Sequence, residues 1–155
     1  MASMLRFFVA SIGAAAFLIV AYADPAHAAD GETIGRVKTV QGAAYLVRAG
    51  NQIAADVGST LQAGDSVKTA GDSAMGIAFR DNTTLSVGPE SEMTIDDFAF
   101  EPKDEKLAFS AALAQGTFVF LTGQIAALRP DAVKVSTPGG QIGIRGTRFA
   151  VKVVK

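Results

Sequence analysis

Apolar residues along most of this chain recur at every second position, and no long segment keeps a helical period. Met75, Ile77 and Phe79 alternate with Ala74, Gly76 and Ala78. Arg80-Asp81-Asn82 turns the chain, and Leu85 and Val87 resume the odd positions until Gly88-Pro89. Met93 and Ile95 continue the pattern, as do Leu107, Phe109, Ala111 and Leu113 after a charged loop at 103–106. One apolar and one small or polar face is the pattern of half-buried antiparallel strands. The stretch GTFVFL at 116–121 is apolar on both faces, which predicts a central strand.

Turn residues supply the punctuation. The pattern predicts a hairpin or bend at Gln41-Gly42, with Ala44 and Leu46 opposing Tyr45 and Val47. Polar turns follow at 48–51 and at Gly64-Asp65, where glycine tolerates positive φ and aspartate bonds the neighbouring backbone. Residues 125–128 read as a short helical turn before Pro130 or as an edge strand. The chain is therefore expected to be all-β: a single domain of many short, mostly antiparallel strands, arranged as a twisted sandwich, a barrel or an irregular solenoid. Its expected core includes Val47, Ile77, Phe79, Leu85, Val87, Ile95, Phe109, Phe118, Phe120, Ile142, Ile144 and Phe149.

A phase change marks the string STPGGQIGIRGTRF at 136–149. Ile142 and Ile144 carry the apolar face on even positions, whereas Phe149, Val151 and Val153 carry it on odd ones. A one-residue slip turns every side chain over, so a bulge or tight bend with positive φ is expected at Gly146. Thr137, Pro138, Ile142, Gly143, Ile144, Arg145, Gly146 and Thr147 form the candidate structural or recognition motif. Arg145 has two readings: a recognition arginine gripping a partner carboxylate, or a structural one bonding carbonyls around the bend.

The first residues have a different character. Arg6 precedes the apolar run FFVASIGAAAFLIVAYA, Asp24-Pro25 interrupts it, and Ala26-His27-Ala28 supplies an A-x-A site. This is the layout of a secretory signal at 1–28, cleaved after Ala28, with the β domain at 29–155 and a periplasmic destination. An uncleaved inner-membrane anchor is the alternative, since the run approaches the roughly 17–25 residues that span a bilayer. Apart from this segment no membrane contact is expected. Loss of Arg6 and Asp24 with the leader takes the 14 basic and 15 acidic residues to 13 and 14. The charges are scattered along the sequence without a basic stripe, which argues against nucleic acid.

Several elements, in order, resemble the FecR domain family. They are Gly35-Arg36-Val37 with Gly42 and Arg48, then LQAGDSVKT at 61–69, Ser73-Ala74, Phe79-Arg80-Asp81 and Leu85-Ser86-Val87. Ile95-Asp96-Asp97-Phe98 and GTFVF at 116–120 follow, and Thr137-Pro138 with IGIRGT at 142–147 closes the series. The resemblance implies an all-β periplasmic module that works through contact with another envelope protein and performs no catalysis. The family's best-known members relay an iron-siderophore signal from an outer-membrane transporter to a cytoplasmic sigma factor. Only residues 1–6 precede the apolar run, so the expectation here is a stand-alone domain without a sigma-binding part. The alternative is a structural or accessory protein of envelope or surface assembly. Partner identity and oligomeric state stay open at this point.

The side-chain inventory narrows the chemistry. The chain has no cysteine, and its single histidine, His27, lies in the cleavage site. The mature domain would then lack the residues of Ser-His-Asp and Cys-His triads and the usual zinc and iron ligands. No phosphate-binding glycine motif precedes a helix. No enzyme activity, cofactor or metal site is therefore expected. Asp96, Asp97 and Glu101 could pair for acid–base work or calcium, but neighbours on a strand point to opposite faces, and a structural or solvated role is expected.

Overall fold

The computed structural model describes residues 31–144 and 146–155. The leader expected at 1–28, and Arg145, lie outside the described residues, so the two readings of that arginine stand as they were.

Among the described residues twelve strands follow in chain order: β1 (Thr33–Gln41), β2 (Ala44–Arg48), β3 (Asn51–Ala54), β4 (Thr60–Gln62), β5 (Ser66–Thr69), β6 (Ala74–Phe79), β7 (Thr84–Val87), β8 (Glu92–Glu101), β9 (Lys106–Leu121), β10 (Val133–Thr137), β11 (Gly140–Ile142) and β12 (Arg148–Val153). One short helix, α1 (Gln124–Leu128), lies between β9 and β10, so the helical alternative for 125–128 is the one realised. The strands form one curled sheet with β9 at its centre. The first half runs β4-β1-β6-β7-β9-β12 and the second runs β3-β2-β5-β8-β9-β10-β11. All pairings are antiparallel except β9 with β10.

The 16-residue β9 belongs to both halves because it bends at Gly116, where φ is +104°. Its first part pairs with β8 and β10, and its last part with β7 and β12. The doubly apolar stretch at 116–121 is thus central, as its pattern requires. Gln41-Gly42 is a bend and not a hairpin, since β1 pairs with β4 and β6 while β2 joins the other half. Ala49 and Gly50 both take positive φ and close the β2–β3 hairpin in two residues.

The halves face each other across aromatic rings. Phe79 of β6 meets Phe98 of β8 at 5.8 Å and Phe109 of β9 at 5.1 Å. Phe109 reaches Phe120 at 6.3 Å, which stacks on Phe149 at 4.8 Å. Each fully buried ring contributes roughly 1.5–3 kcal/mol through burial. Eight of the twelve expected core residues are fully buried. The other four are only half-buried. Val47 lies on the outward face of β2, where Ala44 and Leu46 take the inward positions, while Ile142, Ile144 and Phe149 pack at the margin of the core.

Asp96 is the extra residue of a bulge, because Ile95 pairs with Ala111 and Asp97 with Ser110. The bulge lets Ile95 and Phe98 both point inward despite their opposite parity, and it leaves both Asp96 and Asp97 exposed. The expected opposition of these two carboxylates is thus corrected: both face solvent. No group of acidic or histidine side chains suited to a metal occurs among the described residues.

Candidate functional site

The closing motif carries the chain from one half of the sheet to the other. Thr137 ends β10, Pro138-Gly139 turns, and Ile142 ends β11 in the second half. β12 then pairs with β9 in the first half. The change of apolar phase therefore marks two strands on different halves, with a bend between them, and not a bulge inside one strand. Gly146 takes φ +101° at this bend, as expected. Thr147 anchors it: its carbonyl accepts the Thr122 N–H at 2.8 Å and the Thr122 hydroxyl at 3.2 Å. Gly143 and Gly146 have open space where a side chain would stand.

A groove of about 550 Å³ separates this bend from α1, lined by Thr122, Gly123, Ala126, Ala127, Pro130, Ile144, Gly146 and Thr147. None of these described side chains titrates near neutral pH, so what they supply is shape. Its helical wall is fixed by the buried Asp81. That carboxylate accepts the Thr83 N–H at 3.1 Å, the Thr83 hydroxyl at 2.7 Å and the Ile125 N–H at 3.3 Å. The Asp81 carbonyl accepts the Gln124 N–H at 2.7 Å. Asp65, the other buried carboxylate, holds Arg48 through both of its oxygens, at 2.9 and 2.7 Å, and accepts the Gln62 N–H at 2.8 Å. The turn roles expected for these two aspartates are thus present, and each is spent on the fold.

The surface that offers itself to a partner is the edge of β12. Among the described residues this strand pairs with β9 alone, and its other side is unpaired by any of them. The other edge strands are shorter: β3 has four residues, and β4 and β11 have three each, against six in β12. The bond from Thr122 N–H to the Thr147 carbonyl sets the phase of the ladder. Hydrogen-bonded pairs alternate in an antiparallel ladder, so Phe149 and Val151 bond towards β9, while the N–H and C=O groups of Arg148, Ala150 and Lys152 point to the free side. Along β12, exposed Arg148, Ala150 and Lys152 alternate with half-buried Phe149, Val151 and Val153.

The strands of this half contribute charge of a single sign to the outward face beside this edge, with the turn residue Glu90 near its end by Lys152. The register aligns Arg36, Ala78, Thr84, Leu121 and Arg148 in one row across β1, β6, β7, β9 and β12. Arg36 and Lys38 lie at one side, and Arg148 and Lys152 at the other, about 19 Å apart across four strand spacings. None of these four cations makes an ion pair with a described residue. None of the six strands of this half contributes an Asp or Glu to the face, whereas β8 alone carries Glu92, Asp96, Asp97 and Glu101. Charges that look scattered along the sequence are therefore sorted in space. The sequence holds a signal for this, since residues 33–41, 74–79, 84–87, 116–121 and 148–153 contain no acid at all, but only the strand pairing shows that they are neighbours.

The model of the FecR protein family matches residues 65–155, from buried Asp65 through β12. The chain belongs to the FecR family. The family is a regulatory or signalling one rather than an enzymatic one. The FecR match covers the closing motif and the β12 edge, while β1 to β4 precede it. Arg48, outside the matched span, is joined to it through its pair with Asp65. No curated protein and no solved structure matches the chain.

Proposed function

We propose that this protein is a non-catalytic, periplasmic FecR-type interaction module that takes up an extended segment of another envelope protein along β12, in envelope sensing or signal relay. The observation that carries this reading is the six-residue free edge of β12, whose outward backbone groups seek a strand. Family membership supports a signalling role, and the described residues that line the groove beside α1 include no His, Asp, Glu, Lys, Tyr or Cys to transfer a proton.

Two measurements test it. Intact-mass analysis of the exported protein should give Ala29 as the first residue, whereas a full-length chain held in the inner membrane would replace the periplasmic reading with an anchored one. A photo-cross-linking residue at Ala150 should trap an envelope protein in living cells, and one at the exposed Ala114 of β9 should not. Equal trapping from both positions, or none from Ala150, overturns the β12 reading. A trapped component of an assembly machine, in place of a transporter or sensor, would assign the protein to envelope assembly.

A further inference from the structure

The free edge of β12 also specifies the chemistry of what it takes. We infer that its occupant is an acidic extended segment, with carboxylates four residues apart on one face and apolar residues at the positions between them on the other. This rests on the reading of β12 as the docking strand.

The spacing follows from the ladder. A segment added antiparallel to β12 forms hydrogen-bonded pairs with Arg148, Ala150 and Lys152, the residues whose backbone groups point outward. Its residues opposite Arg148 and Lys152 are four apart and share the outward face with them. No strand from β1 to β12 in this half contributes a carboxylate to that face, and neither cation is paired within the described residues, although the turn residue Glu90 shares a hollow with Lys152. Opposite charges placed directly across such a ladder attract, and like charges repel. The residue opposite Ala150 is small or polar. The alternate residues turn inward and cover the exposed parts of Phe149, Val151 and Val153, which favours apolar side chains there.

The same geometry disfavours a second copy of this chain. Antiparallel self-pairing centred on Ala150 sets Arg148 opposite the second copy's Lys152, and does so twice. A lipid surface is disfavoured by the backbone. Outward N–H and C=O groups on a six-residue edge call for a strand, which an anionic bilayer does not supply.

The probe is the synthetic peptide Glu-Val-Thr-Val-Glu-Val, with Lys-Val-Thr-Val-Lys-Val as its control, each titrated against the protein by NMR. The acidic peptide should shift the β12 amides and slow exchange of those of Arg148, Ala150 and Lys152. It should bind about tenfold or more tightly than the basic one. Double charge reversal, Arg148→Glu with Lys152→Glu, should invert the preference. Ala150→Pro removes an outward N–H while leaving the bonds to β9, and should abolish binding without unfolding the domain. Equal binding of both peptides, or acidic-peptide binding that survives Ala150→Pro, overturns the inference. So does a dimer dissolved by Ala150→Pro, or binding to vesicles containing phosphatidylglycerol that charge reversal alone removes. Cross-linking from Ala150 in cells without acidic-peptide binding would sink the acidic segment and keep the docking strand, whereas loss of both would sink the docking strand itself.

Discussion

Ser91 closes on Gly116: its hydroxyl accepts the N–H of the next residue, Thr117, at 3.1 Å and donates to the Pro89 carbonyl at 3.0 Å. Ser73 repeats the arrangement at Gly42, where it accepts the Ala43 N–H at 2.9 Å and donates to the Gly71 carbonyl at 3.2 Å. In both cases the residue before the serine, Glu90 or Asp72, has positive φ, and so does the glycine. Both glycines lie where the chain passes between the two halves of the sheet. The two serines pin the backbone at these two crossings. A Cβ on Gly116 would overlap the Ser91 hydroxyl and stand 2.5 Å from Ser91 Cα. Gly116→Ala is therefore expected to cost about 3 kcal/mol, adding backbone strain to a clash with main chain. Trimming the serine in Gly116→Ala/Ser91→Ala should not restore it. Gly146 has a similar φ but open space around it, so Gly146→Ala should cost only about 1 kcal/mol. Urea melts of the three variants check the ranking, and equal costs would show that φ alone governs both sites.

Asp81 supports α1 from beneath. Asp81→Ala leaves the Thr83 and Ile125 donors without their acceptor in a buried setting. The expected loss is about 2–4 kcal/mol. Amide exchange should accelerate first in 123–128, since Gly123 and Gln124 also hang on this turn through Thr83 Oγ1 and the Asp81 carbonyl. Uniform acceleration through the whole sheet would show instead that α1 has no stability of its own to lose.

The strands were legible wherever one face is buried. Met75, Ile77, Phe79, Leu85 and Val87 alternate so cleanly that β6 and β7 follow from the sequence alone. Val47 misleads because β2 is apolar on both faces, and period 2 does not say which face meets the core. The closing motif shows its phase change in the sequence. Its cause is invisible there, because a switch between halves and a bulge within one strand produce the same parity shift. The cationic face was illegible for a related reason. Arg36 and Arg148 are far apart in sequence and become members of one row only through three intervening strands.

Phe120 and Phe149 separate core from margin. The rings stack at 4.8 Å with planes 9° apart, yet Phe120 is buried and Phe149 only half-buried. Phe120→Ala should cost about 3–5 kcal/mol, as for a filled core position. Phe149→Ala should cost about 1–2 kcal/mol, because water already reaches part of that ring. Thermal denaturation followed by circular dichroism measures both. A cost at Phe149 equal to that at Phe120 would mean that β12 is as firmly seated as the centre of the sheet, which bears on how freely its edge receives a partner.

Arg48 and Asp65 join β2 to the turn before β5. The pair is bidentate, Arg48 also donates to the Thr60 carbonyl at 3.0 Å, and Asp65 is 1% exposed. Removing the arginine strands a buried carboxylate, so Arg48→Ala should cost about 3–5 kcal/mol. Arg48→Lys should recover little, since an ammonium lacks the planar fork that meets both carboxylate oxygens. Asp65→Asn in the Arg48→Ala background removes the stranded charge while keeping an acceptor for the Gln62 N–H. The double variant should therefore be more stable than Arg48→Ala alone. A denaturation cycle over the four proteins gives the sign of this coupling. If Asp65→Asn destabilises the Arg48→Ala protein further, the carboxylate matters for the turn at Gln62 more than for the arginine, and the pair is a consequence of the turn and not its anchor.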